Sequence, residues 1–133
     1  ERVDFMYLFP RDCPRILIWA TEQTSDADKL KWLGSYRAAA YVERERFADL
    51  SAAKLYRYDL PTDSFEDLHD AGMWVSRAAV EPLGCDTLFD LPSTFTSRGV
   101  DLRVVDSLLP LKALWETTLH ASGIRLRNAK GWA

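Results

Sequence analysis

Apolar positions along this chain change their spacing several times, and each change marks an expected element. Val3, Met6, Tyr7 and Phe9 follow helical spacing, so residues 1–9 read as the end of a helix. Pro10 and Pro14 stop it and bracket the turn Arg11-Asp12-Cys13. Residues 15–20 (RILIWA) form a continuous apolar run with β-branched members, which predicts a strand buried on both faces. Residues 25–33 predict a helix capped by Ser25 or Asp26 and ended by Gly34, with Ala27, Leu30 and Leu33 inward and Trp32 nearby. Residues 36–42 predict a strand despite their alanines. Residues 43–50 predict a short helix with Phe47, Ala48 and Leu50 inward.

The second half is more broken. Residues 54–60 alternate, with Leu55, Arg57 and Asp59 on one side and Tyr56, Tyr58 and Leu60 on the other. That pattern is a half-exposed strand ended by Pro61. Residues 63–70 read as a polar connection, and 73–76 and 80–83 as short extended pieces. Residues 86–97 predict a helix that Pro92 kinks or splits. Residues 100–105 alternate as a strand. Residues 107–122 give the clearest helical stripe (Leu108, Leu111, Trp115, Leu119), capped by Ser107 and closed by Gly123. Residues 124–128 read as a last strand or an ordered tail. No repeat or linker divides the chain. These elements predict one α+β domain over 1–133, with a mixed or mostly antiparallel sheet and flanking helices.

Composition adds limits. At 133 residues and 47% hydrophobic content, the chain can bury one core of its own. The net charge of −3 is evenly spread, which gives no signal for DNA or RNA. No apolar run is long enough to span a bilayer. Two cysteines, Cys13 and Cys85, are too few for a zinc framework; they fit a reduced cytoplasmic protein and leave a single bridge between them open. Homo-oligomerisation is likewise left open. The charged start, without an initiator methionine, suggests that native residues precede Glu1.

Standard catalytic signatures are lacking: there is no phosphate loop, no GxSxG and no HExxH. His69 and His120 read as surface residues. Three places carry candidate chemistry. In FPRDCPR, two prolines fix a turn that presents Arg11 and Arg15, suited to an anion or nucleotide; alternatively, Asp12 pairs with one of them and only locks the turn. Cys13 there lacks a nearby base. Trp74 and Ser76, followed by Glu81, could hold a planar ring beside a hydroxyl and a carboxylate; alternatively, and more commonly, such a tryptophan is a core residue. Arg125, Arg127 and Asn128 form the third place: if extended, the two arginines point to one side as an anion clamp, and the more common alternative is a solvated basic surface.

The runs YLFPRDCPRILIWA, KLYRYDLP, MWVSRAAVEPLG, GVDLRVVDSLLPL and IRLRNA together resemble a family of uncharacterised, mainly bacterial proteins over nearly the whole chain. Fuller members of that family begin earlier, with a segment like FHFSEDP and a VWAID-type strand. The full layout is similar in element pattern to ADP-ribosyltransferase-like proteins. This resemblance implies a nucleotide-binding domain with NAD or ADP-ribose as ligand. It places a histidine upstream, Tyr7 beneath the nicotinamide pocket, and Trp74, Ser76 or Glu81 on a later strand, with Ser76 and Glu81 as catalytic candidates. Arginine-to-phosphate contacts would hold the ligand, and 12 of the 17 basic residues are arginine. The alternative is a non-enzymatic interaction module that binds a partner across Tyr56 and Tyr58 or the tail.

Overall fold

The computed structural model describes residues 3–70 and 72–132. A 3-10 turn at Asp4–Tyr7 opens the described chain. Then follow β1 (Arg15–Trp19), α1 (Asp26–Trp32), β2 (Ala38–Glu43), α2 (Phe47–Ala52), β3 (Leu55–Asp59), β4 (Phe65–Asp67), β5 (Trp74–Ser76), β6 (Gly84–Leu88), α3 (Leu91–Ser97), β7 (Val100–Val105) and β8 (His120–Ile124). The central sheet has the order β7-β2-β1-β8. Strand β1 is antiparallel to both neighbours, whereas β2 and β7 run parallel. The expected α+β class and mixed sheet are found.

Alternation along the two middle strands builds a core on each face of this sheet. Leu17, Ala38, Ala40 and Val42 face a layer holding Phe5, Phe9, Leu50, Leu91 and Phe95. Ile16, Ile18, Ala39 and Tyr41 face Leu33, Leu108, Leu114 and Leu119. Every residue of β2 is buried. Alanine is a poor strand former in isolation, so burial between two layers, rather than propensity, makes β2 a strand.

Several expectations change. Instead of one long helix over 107–122, a 3-10 helix covers Leu109–Glu116 and β8 follows. Leu108, Leu111 and Leu114 are spaced three apart, which is the 3-10 repeat, and Leu108 and Leu114 are fully buried, while Trp115 is exposed. Strand β1 is buried on both faces and needs a pairing partner on each edge; residues 120–124 supply the second. Residues 86–97 also divide. Gly84–Leu88 pairs with β3, and α3 starts after Asp90 with Pro92 in its first turn, where no amide hydrogen is missed. The connection at 63–70 contains β4, which pairs with β5. Residues 80–83 form no strand.

Helix α1 differs in its packing. Leu30 is 76% exposed and no residue of the helix is buried. Its N-terminus is docked by polar bonds: the Ser25 amide donates to Thr118 Oγ1 at 2.9 Å, and Asp28 accepts from the Thr118 amide and hydroxyl. Those bonds hold the Asp28 carboxyl below its ordinary pKa. At the start of the chain, Phe5, Met6, Leu8 and Phe9 are the inward residues, and Tyr7 faces outward. The helix expected over 43–50 starts later, because Glu43 ends β2 and a 3-10 turn, Arg44–Arg46, intervenes. Within α2, Leu50 is buried and Ala48 is exposed.

Between Lys54 and Asp90 no described residue is buried. This excursion holds two separate two-stranded ribbons, β3-β6 and β4-β5. It helps explain an accessible surface of 8465 Å², against about 7,100 Å² for a compact chain of this mass.

Glu43 is 2% exposed and has no cationic partner at its carboxylate among the described residues. Instead it accepts the Leu108 amide at 3.1 Å and the Lys130 amide at 3.2 Å, tying the 3-10 helix and the C-terminal segment to the sheet. Glu43→Ala leaves two backbone donors unmet and is expected to lower the unfolding free energy by about 2–4 kcal/mol in urea titrations. Glu43→Gln, which keeps one acceptor oxygen, is expected to fall between the two. Equal stability of all three proteins would contradict this account.

Candidate functional site

The proline-bracketed turn is closed by the Cys13 amide bonding to the Pro10 carbonyl at 3.0 Å. Arg15, at the first position of β1, folds back beneath it and is 4% exposed. Its Nε donates to the Met6 carbonyl at 3.2 Å, and one Nη donates to the Cys13 carbonyl at 2.9 Å and the Pro10 carbonyl at 3.5 Å. The guanidinium also lies over the Phe9 ring at 5.1 Å. A buried cation is thus solvated by backbone oxygens rather than by a carboxylate. The remaining Nη amino group has no bonding partner among the described residues. The turn is locked by Arg15, and the lock does not use the Asp12 carboxylate.

The far end of the chain holds the turn from the other side. Arg125 Nε donates to the Arg11 carbonyl at 3.4 Å, and Asn128 Nδ2 donates to the Asp12 carbonyl at 2.8 Å. Arg125 adopts the left-handed conformation (φ 55°), which costs a non-glycine residue about 1–3 kcal/mol. That conformation ends β8 and starts a 3-10 turn at Leu126–Asn128. Ile124 ends β8, but residues 125–128 are not extended, and Arg127 does not share a strand face with Arg125. A Cβ at Gly123, just before this bend, would stand 2.3 Å from Leu126 Cδ1, so a larger residue there would displace the Leu126 side chain.

Between the two segments lies a groove of about 570 Å³, lined by Tyr7, Phe9, Arg11, Arg15, Leu55, Gly123, Ile124 and Arg125. Among the described residues, three guanidiniums and no carboxylate line it. Neither Arg11 nor Arg125 has an ion-pair partner among the described residues. Burial lowers the Arg15 pKa, and the nearby Arg125 charge adds to that effect. Tyr7 and Leu55 also line an adjoining cavity of about 220 Å³, completed by Asp4, Leu8, Tyr56, Arg57, Leu88 and Arg98. There each cation is already matched: Arg57 pairs with Asp86 at 2.9 Å, and Arg98 pairs with Asp4.

Trp74, Ser76 and Glu81 lie elsewhere, in the exposed excursion. Trp74 is 55% exposed on β5. Ser76 Oγ is 2.7 Å from Ser64 Oγ and donates to the Ala78 carbonyl. Glu81 lines a separate cavity of about 390 Å³ with Pro61, Asp63, Ser64 and neighbours. That cavity shares no lining residue with the arginine groove. Arg127 is exposed and does not line the groove. Of the sequence candidates, Tyr7, Arg11, Arg15 and Arg125 come together; the others do not join them. Phe9, Leu55 and Asp4 were missed, because their apolar or ion-pairing character gave no hint that separate segments meet there. His120, expected late in a helix, is on β8 and stacks on Trp19 at 4.3 Å.

Among the described residues no helix is long and apolar enough to cross a membrane, and no three His, Cys, Asp or Glu side chains are grouped to hold a metal. The elements and the cleft define a mixed α+β domain with an arginine-lined groove at one end of its sheet. The chain belongs to the DUF6886 family, a family of unknown function, whose model matches residues 1–129. No curated protein and no solved structure matches it.

Cys13 and Cys85 are both free thiols, the first buried and the second exposed. Burial pushes the Cys13 thiol from 9.0 up to about 11, which opposes a nucleophilic role at neutral pH. Iodoacetamide at pH 8 is expected to label Cys85 alone in the folded protein, read by mass spectrometry. The raised value also sets a pH dependence. The unfolded chain loses this proton near pH 9 while the folded chain keeps it, so stability falls between pH 9 and about 11. The expected slope is at most about 1.4 kcal/mol per pH unit. Cys13→Ala should flatten the curve over that interval.

Proposed function

We propose that the arginine groove and its adjoining cavity bind a nucleotide with a diphosphate, of the NAD or ADP-ribose class. The observation that carries this reading is a groove lined by the guanidiniums of Arg11 and Arg125, with buried Arg15 behind them and no carboxylate among its described lining residues, beside an aromatic cavity across the shared wall of Tyr7 and Leu55. Guanidiniums are planar, multidentate donors suited to phosphate oxygens. Tyr7 and Tyr56, 53% and 61% exposed, offer ring faces for stacking a base. A cavity of about 150 Å³ accepts a benzene ring, so the adjoining one has room for a single base and not for a second nucleotide. The reading is one of binding. Ser76 and Glu81 remain candidates for chemistry only if a substrate reaches their separate cavity.

Calorimetric titration with NAD and with ADP-ribose tests the reading. Saturable heat is expected, with affinity falling as salt rises. Arg125→Ala is expected to weaken binding at least tenfold without changing the circular dichroism spectrum, since that side chain makes one weak protein contact. No heat and no thermal shift at millimolar ligand would remove the proposal.

A second reading, a non-enzymatic interaction module, is supported by the excursion over 54–90. Tyr56, Tyr58, Leu60, Leu68, Trp74, Val75, Leu83 and Phe89 are all exposed there. A stoichiometric protein partner, lost on Tyr58→Ser and kept on Arg125→Ala, would favour this reading over the first.

A further inference from the structure

We infer that the outer edge of β7 is a self-association surface, which takes the β7 strand of a second copy of this chain, antiparallel and centred on Leu102. The inference is independent of the nucleotide reading. Strand β7 is one of the two outermost strands of the central sheet and is paired, to β2, along one edge. No described residue outside β2 bonds to its backbone, so alternate N–H and C=O groups along the other edge are left to solvent. Residues 101–105 are all partly exposed, so the strand is not sealed. An unpaired edge of this kind is a template for a further strand.

The residue order says which strand fits. Val-Asp-Leu-Arg-Val, residues 100–104, reads alike in both directions for polarity and with opposite sign for charge. Antiparallel pairing about a twofold axis at Leu102 sets Val100 opposite Val104 and Asp101 opposite Arg103. Val100, Leu102 and Val104 pack on the Phe95 side of the sheet. Arg103 is on the other side, where it donates to the Tyr41 hydroxyl at 2.7 Å. Arg103 Nε also bonds Asp101 Oδ2 at 2.9 Å, and the two side chains remain 26% and 31% accessible. Pairing two copies therefore joins two ion pairs into a ring of alternating sign. Opposite charges across a strand pair stabilise it and like charges destabilise it. Moving the axis by one residue sets Asp101 against Asp101 or Arg103 against Arg103, so the charges also choose the register. The other outer strand, β8, has no such pattern: it contains Gly123 and is followed by the left-handed Arg125.

Light scattering on the whole chain at high micromolar concentration is expected to give twice 15.2 kDa, falling toward 15.2 kDa on dilution. The register is read in a Cys85→Ser background, which leaves the buried Cys13 as the other thiol. Leu102→Cys is expected to give a disulfide-linked dimer on oxidation with copper phenanthroline, because a residue on the axis lies within disulfide reach of its copy. Val104→Cys, which faces Val100, is expected not to link. Asp101→Lys and Arg103→Glu each bring like charges together and should weaken self-association about tenfold. Mixing these two variants should restore the dimer mass, a rescue that a folding defect could not produce. A monomeric wild type at that concentration overturns the inference. So does a dimer in which Leu102→Cys does not link, or in which Val104→Cys links as readily. Loss of the dimer on Tyr58→Ser would place the contact on the exposed ribbon and overturn it as well. Should Arg103→Glu not fold, the two cysteine variants decide.

Discussion

Two buried charges of opposite sign sit at one end of the central sheet, and neither neutralises the other. Arg15 opens β1, and Glu43 closes the antiparallel β2, one residue beyond the position that faces Arg15. Each is satisfied by backbone instead: the cation by three carbonyls of the segment before it, the anion by two amides of segments that follow much later. Burying a charge without such bonds costs several kcal/mol. The arrangement therefore stands only when the N-terminal turn, the 3-10 helix and the C-terminal tail are all in place. The N-terminal turn and the residues that lead into the C-terminal tail also line the groove at this end of the sheet.

That dependence gives the site its character. The proline turn is rigid because Arg15 braces it from below and Arg125 and Asn128 hold its carbonyls from the side. Bracing of this kind holds in place the backbone that carries Arg11 and Arg125 at the groove. The left-handed Arg125 fits this view: local strain is held by neighbouring contacts, and the bend it makes brings its side chain to the groove. By contrast, the excursion over 54–90 contributes only Leu55 to the groove and otherwise projects apolar side chains into solvent.

Much of this architecture can be seen in the linear pattern, and the failures share a cause. The run RILIWA could be read as a doubly buried strand because nothing polar interrupts it after Arg15. Residues 107–122 read as one helix because leucines three apart fit a 3-10 helix and an α-helix nearly equally well. What settles the matter is an unpaired edge of β1, which is not local information. Leu30 shows the same limit: its spacing is helical and inward, yet α1 is docked through Thr118, ninety positions away from Asp28.

By itself, then, the order of residues determined what depends on neighbours along the chain: the proline turn, the strands with strict alternation, the cap at Ser25, the α+β class and the cluster of arginines at FPRDCPR. Only the tertiary structure decided which of those arginines is buried as a brace and which is free, that Arg125 joins them while Arg127 does not, and that Trp74 lies on a different ribbon. The physical reason is that charge burial and groove formation depend on segments more than a hundred residues apart meeting, and spacing along the chain carries no record of that meeting.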